Sequence, residues 1–192
     1  MLRSLYDWTL SLAAHPRAMW ALAIVAFIEA SVFPIPPDVL MIAMIVAIPT
    51  RAFRIAAVAT VASVLGGLLG YAIGALAFEQ IGQPILASLG KEDAVLAFND
   101  RFNSFDFWPV LIAGLTPFPY KVITIMSGWT GLPLGTFIIT SIIARAGRFF
   151  LVAWLLNRYG APIRDFIERR LGLMTILFVV LLAGGFYAVR FL

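Results

Sequence analysis

Residues 55–78, IAAVATVASVLGGLLGYAIGALAF, carry no charged side chain. A helix needs roughly 20 apolar residues to cross a hydrocarbon core, so this run spans a bilayer. Two more segments qualify by length: 134–157, which contains Arg145 and Arg148, and 172–190, uncharged up to its last residue. In all, 62% of the 192 residues are hydrophobic and 12% are charged, against about half and a quarter in ordinary soluble domains. A soluble fold of this size has too little interior to hide that surface. The expected class is an all-α integral membrane protein, one membrane domain over 1–192. Soluble enzymes, disordered chains and nucleic-acid-binding domains are excluded. The net charge of +4 reads as cytoplasmic Lys/Arg, and no basic run interleaves with aromatics as nucleic-acid binding would require. Without cysteine, and with His15 as the lone histidine, no metal site and no cofactor are expected. The apolar run Ala18–Ile28 meets Glu29 with no cleavage site after it, so no cleaved signal is expected.

Two other apolar regions, 16–49 and 107–133, are interrupted near the centre by Pro-x-Pro. Pro34, Pro36 and Pro37 break the first; Pro117 and Pro119 break the second. Proline lacks an N–H and clashes with the preceding turn, so each region becomes helix–break–helix. Its legs are shorter than an ordinary span, which predicts re-entrant hairpins. Broken backbone at membrane depth survives only inside protein or beside a water-filled cavity. FPIPPDVLMI (33–42) also aligns with TPFPYKVITI (116–125) at an offset of 83 residues, and each is followed by a long span.

Arg17, Arg51 and Arg54 flank the first hairpin, and Arg158, Arg164, Arg169 and Arg170 follow the second span. The connection 79–106 is rich in Asp and Glu. Positive-inside therefore places the Arg-rich loops in the cytoplasm and 79–106 outside. The expected order is an interfacial helix at 1–15, hairpin 16–49, span 55–78, an external amphipathic connection 79–106, hairpin 107–133, span 134–157 and span 172–190. Two hairpin-plus-span units of opposite orientation make an inverted repeat, the plan of many secondary transporters.

Five charges fall where the bilayer should be: Glu29, Asp38, Lys121, Arg145 and Arg148. Intramembrane charges are costly and point to function. Arg145 and Arg148, three apart, share a helix face. Asp38 and Lys121 hold matching places after the two breaks. Should the hairpins meet tip to tip, all five converge. Glu29 and Asp38 are then the proton-coupling candidates, since burial disfavours a charged carboxylate. Lys121, Arg145 and Arg148 are the anion-binding candidates, helped by helix N-termini. Each charge also admits a structural role: Asp38 as a helix cap, Lys121 as a snorkelling side chain, and the arginines as partners that lock Glu29 and Asp38. Gly66, Gly70 and Gly74 form a close-packing stripe. It permits a homodimer without requiring one, because it can equally pack within the chain.

EASVFPIPPDVLMIAM, a Gly-rich span, AGLTPFPYKVITIMSGWTGLP and a long helix, in that order, resemble the DedA superfamily of VTT-domain, or SNARE-associated-type, membrane proteins. FPIPPD and TPFPYK are most similar to its YqaA-like branch. The resemblance covers about residues 18–160. It implies two opposed re-entrant hairpins in the bacterial inner membrane and proton-linked transport, in several members flipping or scrambling of phospholipid or undecaprenyl phosphate. It maps the essential acids onto Glu29 and Asp38, and the later arginines onto Arg145 and Arg148. Lys121, or Tyr120, stands where other members carry arginine.

The reading is a non-enzymatic transporter that moves an anionic phospholipid or polyprenyl phosphate with protons. Its rivals are a proton-coupled small-cation exchanger and a membrane-organising factor whose polar cluster is structural.

Overall fold

The structure, a computed structural model, describes residues 17–32, 36–82, 84, 92–116 and 118–160. The expected interfacial helix 1–15 and span 172–190 lie outside the described residues, as do Pro34 and Pro117. Among the described residues all regular structure is helical. The order is α1 (Ala18–Ser31), α2 (Pro37–Ala47), a 3-10 turn (Pro49–Arg51), α3 (Ala52–Ala77) with a π turn at Phe78–Gly82, α4 (Glu92–Ser104), α5 (Trp108–Leu115), α6 (Tyr120–Trp129) and α7 (Leu134–Gly160).

Both breaks fall where the prolines require. The chain leaves α1 at Val32 and starts α2 with Pro37, whose ring costs no hydrogen bond at the first helical position. Pro36, ahead of another proline, is extended with φ −61° and ψ 119°. At the second break Thr116 (ψ 170°) and Pro119 (ψ 101°) are extended on either side of the turn into α6. The starts of α2 and α6, Pro37 and Tyr120, lie 83 residues apart, the same offset as the two Pro-x-Pro segments.

At 1.5 Å per residue, α3 and α7 are roughly 40 Å long and can cross a ~30 Å hydrocarbon core; α1, α2, α5 and α6, at roughly 12–21 Å, cannot. The surface is that of a membrane protein. Trp20, Ile24, Ile28 and Val32 line the outer face of α1, Val61, Leu65, Leu69 and Leu76 that of α3, and Ile139, Ile143, Leu151 and Trp154 that of α7. Most inward-facing residues of α3 are small, among them Ala56, Ala59, Ser63, Gly66 and Gly70. Large apolar groups outside and small ones inside are what lipid favours, because helices there associate by close approach.

The glycine stripe is occupied within the chain. Gly66 lies against the Phe27 carbonyl of α1, Gly70 against Thr124 of α6, and Gly74 against the Ile125 carbonyl of α6. Gly128 of α6 in turn lies against the Tyr71 carbonyl of α3. Thr124 adds a hydrogen bond from its Oγ1 to the Ala30 carbonyl at 3.1 Å. Helix α4 covers the far end of this packing: Asn103 Nδ2 donates to the Thr130 carbonyl at 2.7 Å, and Phe102 packs on the core beneath.

Two apolar cores result. One gathers Leu22, Leu40, Met41, Ile45, Ile55 and Phe149; the other gathers Ala30, Val110, Ala113, Tyr120, Ile123 and Phe137. Helices α1 and α7 each contribute to both, and the charged residues sit on the seam between.

Candidate functional site

Four of the five charged candidates meet at this seam as two ion pairs, and Lys121 reaches across the breaks beside it. Glu29 lies in the last turn of α1, and Asp38 and Lys121 are the second residues of α2 and α6. Arg145 and Arg148 project from the middle of α7, where the three-residue spacing puts them on one side.

They form two ion pairs of different character. Arg145 Nη2 donates to Glu29 Oε2 at 2.9 Å, with side-chain exposures of 2% and 15%. The Arg145 guanidinium is held between two rings, its carbon 4.8 Å from the Tyr120 centroid and 4.6 Å from that of Phe149. The Tyr120 hydroxyl donates to Ser141 Oγ, one turn before Arg145 on α7. Arg145 Nε has no hydrogen-bond partner among the described residues.

The second pair is more open. Arg148 grips Asp38 with two donors, Nη2 to Oδ2 at 2.8 Å and Nε to Oδ1 at 3.3 Å, and the side chains are 20% and 23% exposed. Its Nη1 donates to the Thr116 carbonyl, the backbone oxygen left free where α5 ends. Lys121 Nζ donates to the Val32 carbonyl at 3.2 Å, the corresponding oxygen where α1 ends. Arg148 and Lys121 thus each tie one break to the other. Three cations meet two carboxylates, and among the described residues Lys121 has no carboxylate within ion-pair distance.

Four of the five charged candidates therefore sit together in two ion pairs, and Lys121 bridges the breaks through the Val32 carbonyl. The prolines set the breaks, and the glycines hold α3 to α1 and α6. Sequence reasoning missed Tyr120 and Phe149 as neighbours of Arg145, and the carbonyls of Val32 and Thr116. One signal was present: Ser141, Arg145 and Phe149 recur every fourth residue and so share a face of α7.

Fold and site define the class: a helical membrane protein in which two proline-broken helix pairs meet over one enclosed and one more open ion pair. Residues 35–158 match the VTT domain, and the chain belongs to that family, the DedA family. An uncharacterized protein of Haemophilus influenzae is 36% identical over 169 residues, covering 86% of this chain and 88% of that protein. A homologue in Histophilus somni, also uncharacterized, is 38% identical over the same length, covering 86% and 88%. No solved structure matches the chain.

Proposed function

We propose that this protein is a proton-coupled transporter of an anionic lipid or lipid-carrier phosphate in the bacterial inner membrane. The observation that carries the reading is the meeting of both helix breaks over two carboxylate–guanidinium pairs and a third, carboxylate-free cation. This cluster has a cationic excess and stands where the backbone is broken. A carboxylate that accepts a proton loses its charge and releases its guanidinium. A phosphate oxygen then takes its place, because forked guanidinium donors match it. Loss of the proton on the other side restores the ion pair and expels the anion.

The same reading takes the short pairs α1–α2 and α5–α6 as re-entrant hairpins in an inverted repeat, with 79–106 outside. None of these four helices is long enough to cross alone. Placement in the YqaA-like branch rests on FPIPPD and TPFPYK.

The test is reconstitution into liposomes with fluorescent phospholipid and polyprenyl-phosphate probes, with and without a pH gradient. Wild-type protein accelerates movement of at least one probe and responds to the gradient; folded Asp38→Asn slows it tenfold or more. Folded wild-type protein that moves neither probe faster than empty liposomes refutes the reading. It turns attention to small-cation exchange or membrane organisation.

A further inference from the structure

The two ion pairs differ in a way that sequence does not reveal. Arg145 is 2% exposed, bracketed by Tyr120 and Phe149, and anchored through Tyr120 to Ser141 on its own helix. Nothing of ligand size can reach its guanidinium without parting α1, α6 and α7. Arg148 and Asp38 are about ten times as exposed as Arg145, and the half-buried Lys121 lies at the same pair of breaks.

We propose that the pairs divide the work. Arg148 and Lys121 form the seat for a phosphate-type anion, with Asp38 as the carboxylate that the anion displaces. Arg145–Glu29 is a fixed tie between α7 and α1 that positions this seat and never touches the anion. Arg148 has the right form for the exchange: two of its donors face Asp38, and its third stays on the Thr116 carbonyl. Losing Asp38 to a phosphate therefore leaves its side chain aimed. Lys121, on a neutral carbonyl, is free to turn its ammonium to the same anion. The two cations come from α7 and α6 and their backbone acceptors from opposite breaks, so an anion seated between them reports on both units at once. This division deepens the transport reading and rests on it for the class of ligand, but its test does not depend on movement.

The sequence contains two lysines, Lys91 and Lys121. Acylation of each by a water-soluble amine reagent is read by mass spectrometry in nanodiscs, with Lys91 as the internal reference. Two arms separate the sources of phosphate: neutral phosphatidylcholine discs with added inorganic phosphate, and discs of anionic phosphatidylglycerol. Lys121 labelling falls at least threefold relative to Lys91 in one arm or both. Protection by inorganic phosphate identifies the free ion as sufficient; protection in phosphatidylglycerol alone identifies the lipid headgroup. The paired substitution Glu29→Met with Arg145→Met replaces the inner tie by apolar groups, methionine sitting well between aromatic rings. It keeps the protection. Asp38→Asn with Arg148→Gln loses it.

Absence of protection in both arms overturns the seat. Loss of protection in a folded Glu29→Met, Arg145→Met protein overturns the division of labour. Should that variant not fold, Tyr120→Phe supplies the check: it weakens the inner enclosure and leaves protection unchanged, and a threefold loss there overturns the proposal equally. Protection without probe movement would refute transport and leave the seat standing.

Discussion

Gly128→Ala is the sharpest test of how α3 and α6 are held. A methyl group at Gly128 would meet the Tyr71 carbonyl oxygen, with the carbonyl carbon at 2.8 Å and Ala75 N at 2.9 Å. Ordinary contacts of this kind begin at 3.4 Å. Every one of these neighbours is backbone, so no rotamer change relieves the contact. The helices must part by at least about 0.6 Å, working from the carbonyl carbon alone. Overpacking costs roughly 1–3 kcal/mol, and an all-backbone contact belongs at the upper end. Against this stands a gain of about 1 kcal/mol from replacing a helical glycine. The net is about 2 kcal/mol, or roughly 30-fold in the unfolding equilibrium. Gly135→Ala makes the same chemical change on α7 where nothing lies within 4 Å, and it stabilises by up to about 1 kcal/mol. Reversible unfolding in mixed micelles measures both. Trp129, edge-on to Phe78 at 5.0 Å across the same crossing, reports the opening by fluorescence. Gly74→Ala clashes reciprocally with the Ile125 carbonyl. One parting of α3 from α6 relieves both clashes, so the double variant falls short of the sum by about 1 kcal/mol. Gly128→Ala and Gly135→Ala of equal stability, or strict additivity of the pair, would refute this account of the crossing.

Arg145→Ala strands Glu29 in its enclosed position and lowers stability by about 3–5 kcal/mol. Lys121→Gln, which gives up one hydrogen bond to a backbone carbonyl, costs about 1 kcal/mol or less; unfolding in the same micelles separates them. Tyr120→Phe keeps the ring beneath Arg145 but drops the hydroxyl from Ser141, at about 1 kcal/mol. Tyr120→Ala also loses the fully buried ring and costs about 3–5 kcal/mol. Asn103→Ala frees α4 from the Thr130 carbonyl; amide hydrogen exchange across 92–104 then accelerates about fivefold, the equivalent of one hydrogen bond.

The charged residues were legible because charge is conspicuous in apolar sequence, and the breaks because proline dictates its own backbone. The pairing was not. Arg145 and Arg148 lie on one face of α7, and which of them takes Glu29 depends on how far the first break carries Asp38 from the end of α1. That distance is set by the break between the helices, not by a periodicity. The ring pair around Arg145 was hidden for another reason. Sixteen phenylalanines and five tyrosines offer many aromatic candidates, so composition singles out none. For the glycine stripe, sequence predicted close approach but not the partner. A helix surface without side chains accepts any neighbour, and α1 and α6 take it here because their own Phe27, Ile125 and Gly128 present bare backbone at the same level.

The distribution of charge between the two units explains why they need each other. Both carboxylates, Glu29 and Asp38, belong to the first unit, and all three cations belong to the second. At the offset of 83, Asp38 corresponds to Lys121, while Arg145 and Arg148 correspond to Ala62 and Leu65. Leu65 faces outward and Ala62 is buried, so the first unit has no cation of its own at these positions. Either unit alone would hold like charges in an apolar setting with nothing to offset them, at several kcal/mol for each ion. Docked, they neutralise one another at the breaks, the part of each unit least able to satisfy its own backbone. The Val32 and Thr116 carbonyls take their hydrogen bonds from Lys121 and Arg148 for the same reason. Two units alike in charge would leave this seam either repulsive or redundant. Opposite charge on a shared scaffold gives it one register, and leaves Lys121 as the cation without a carboxylate among the described residues.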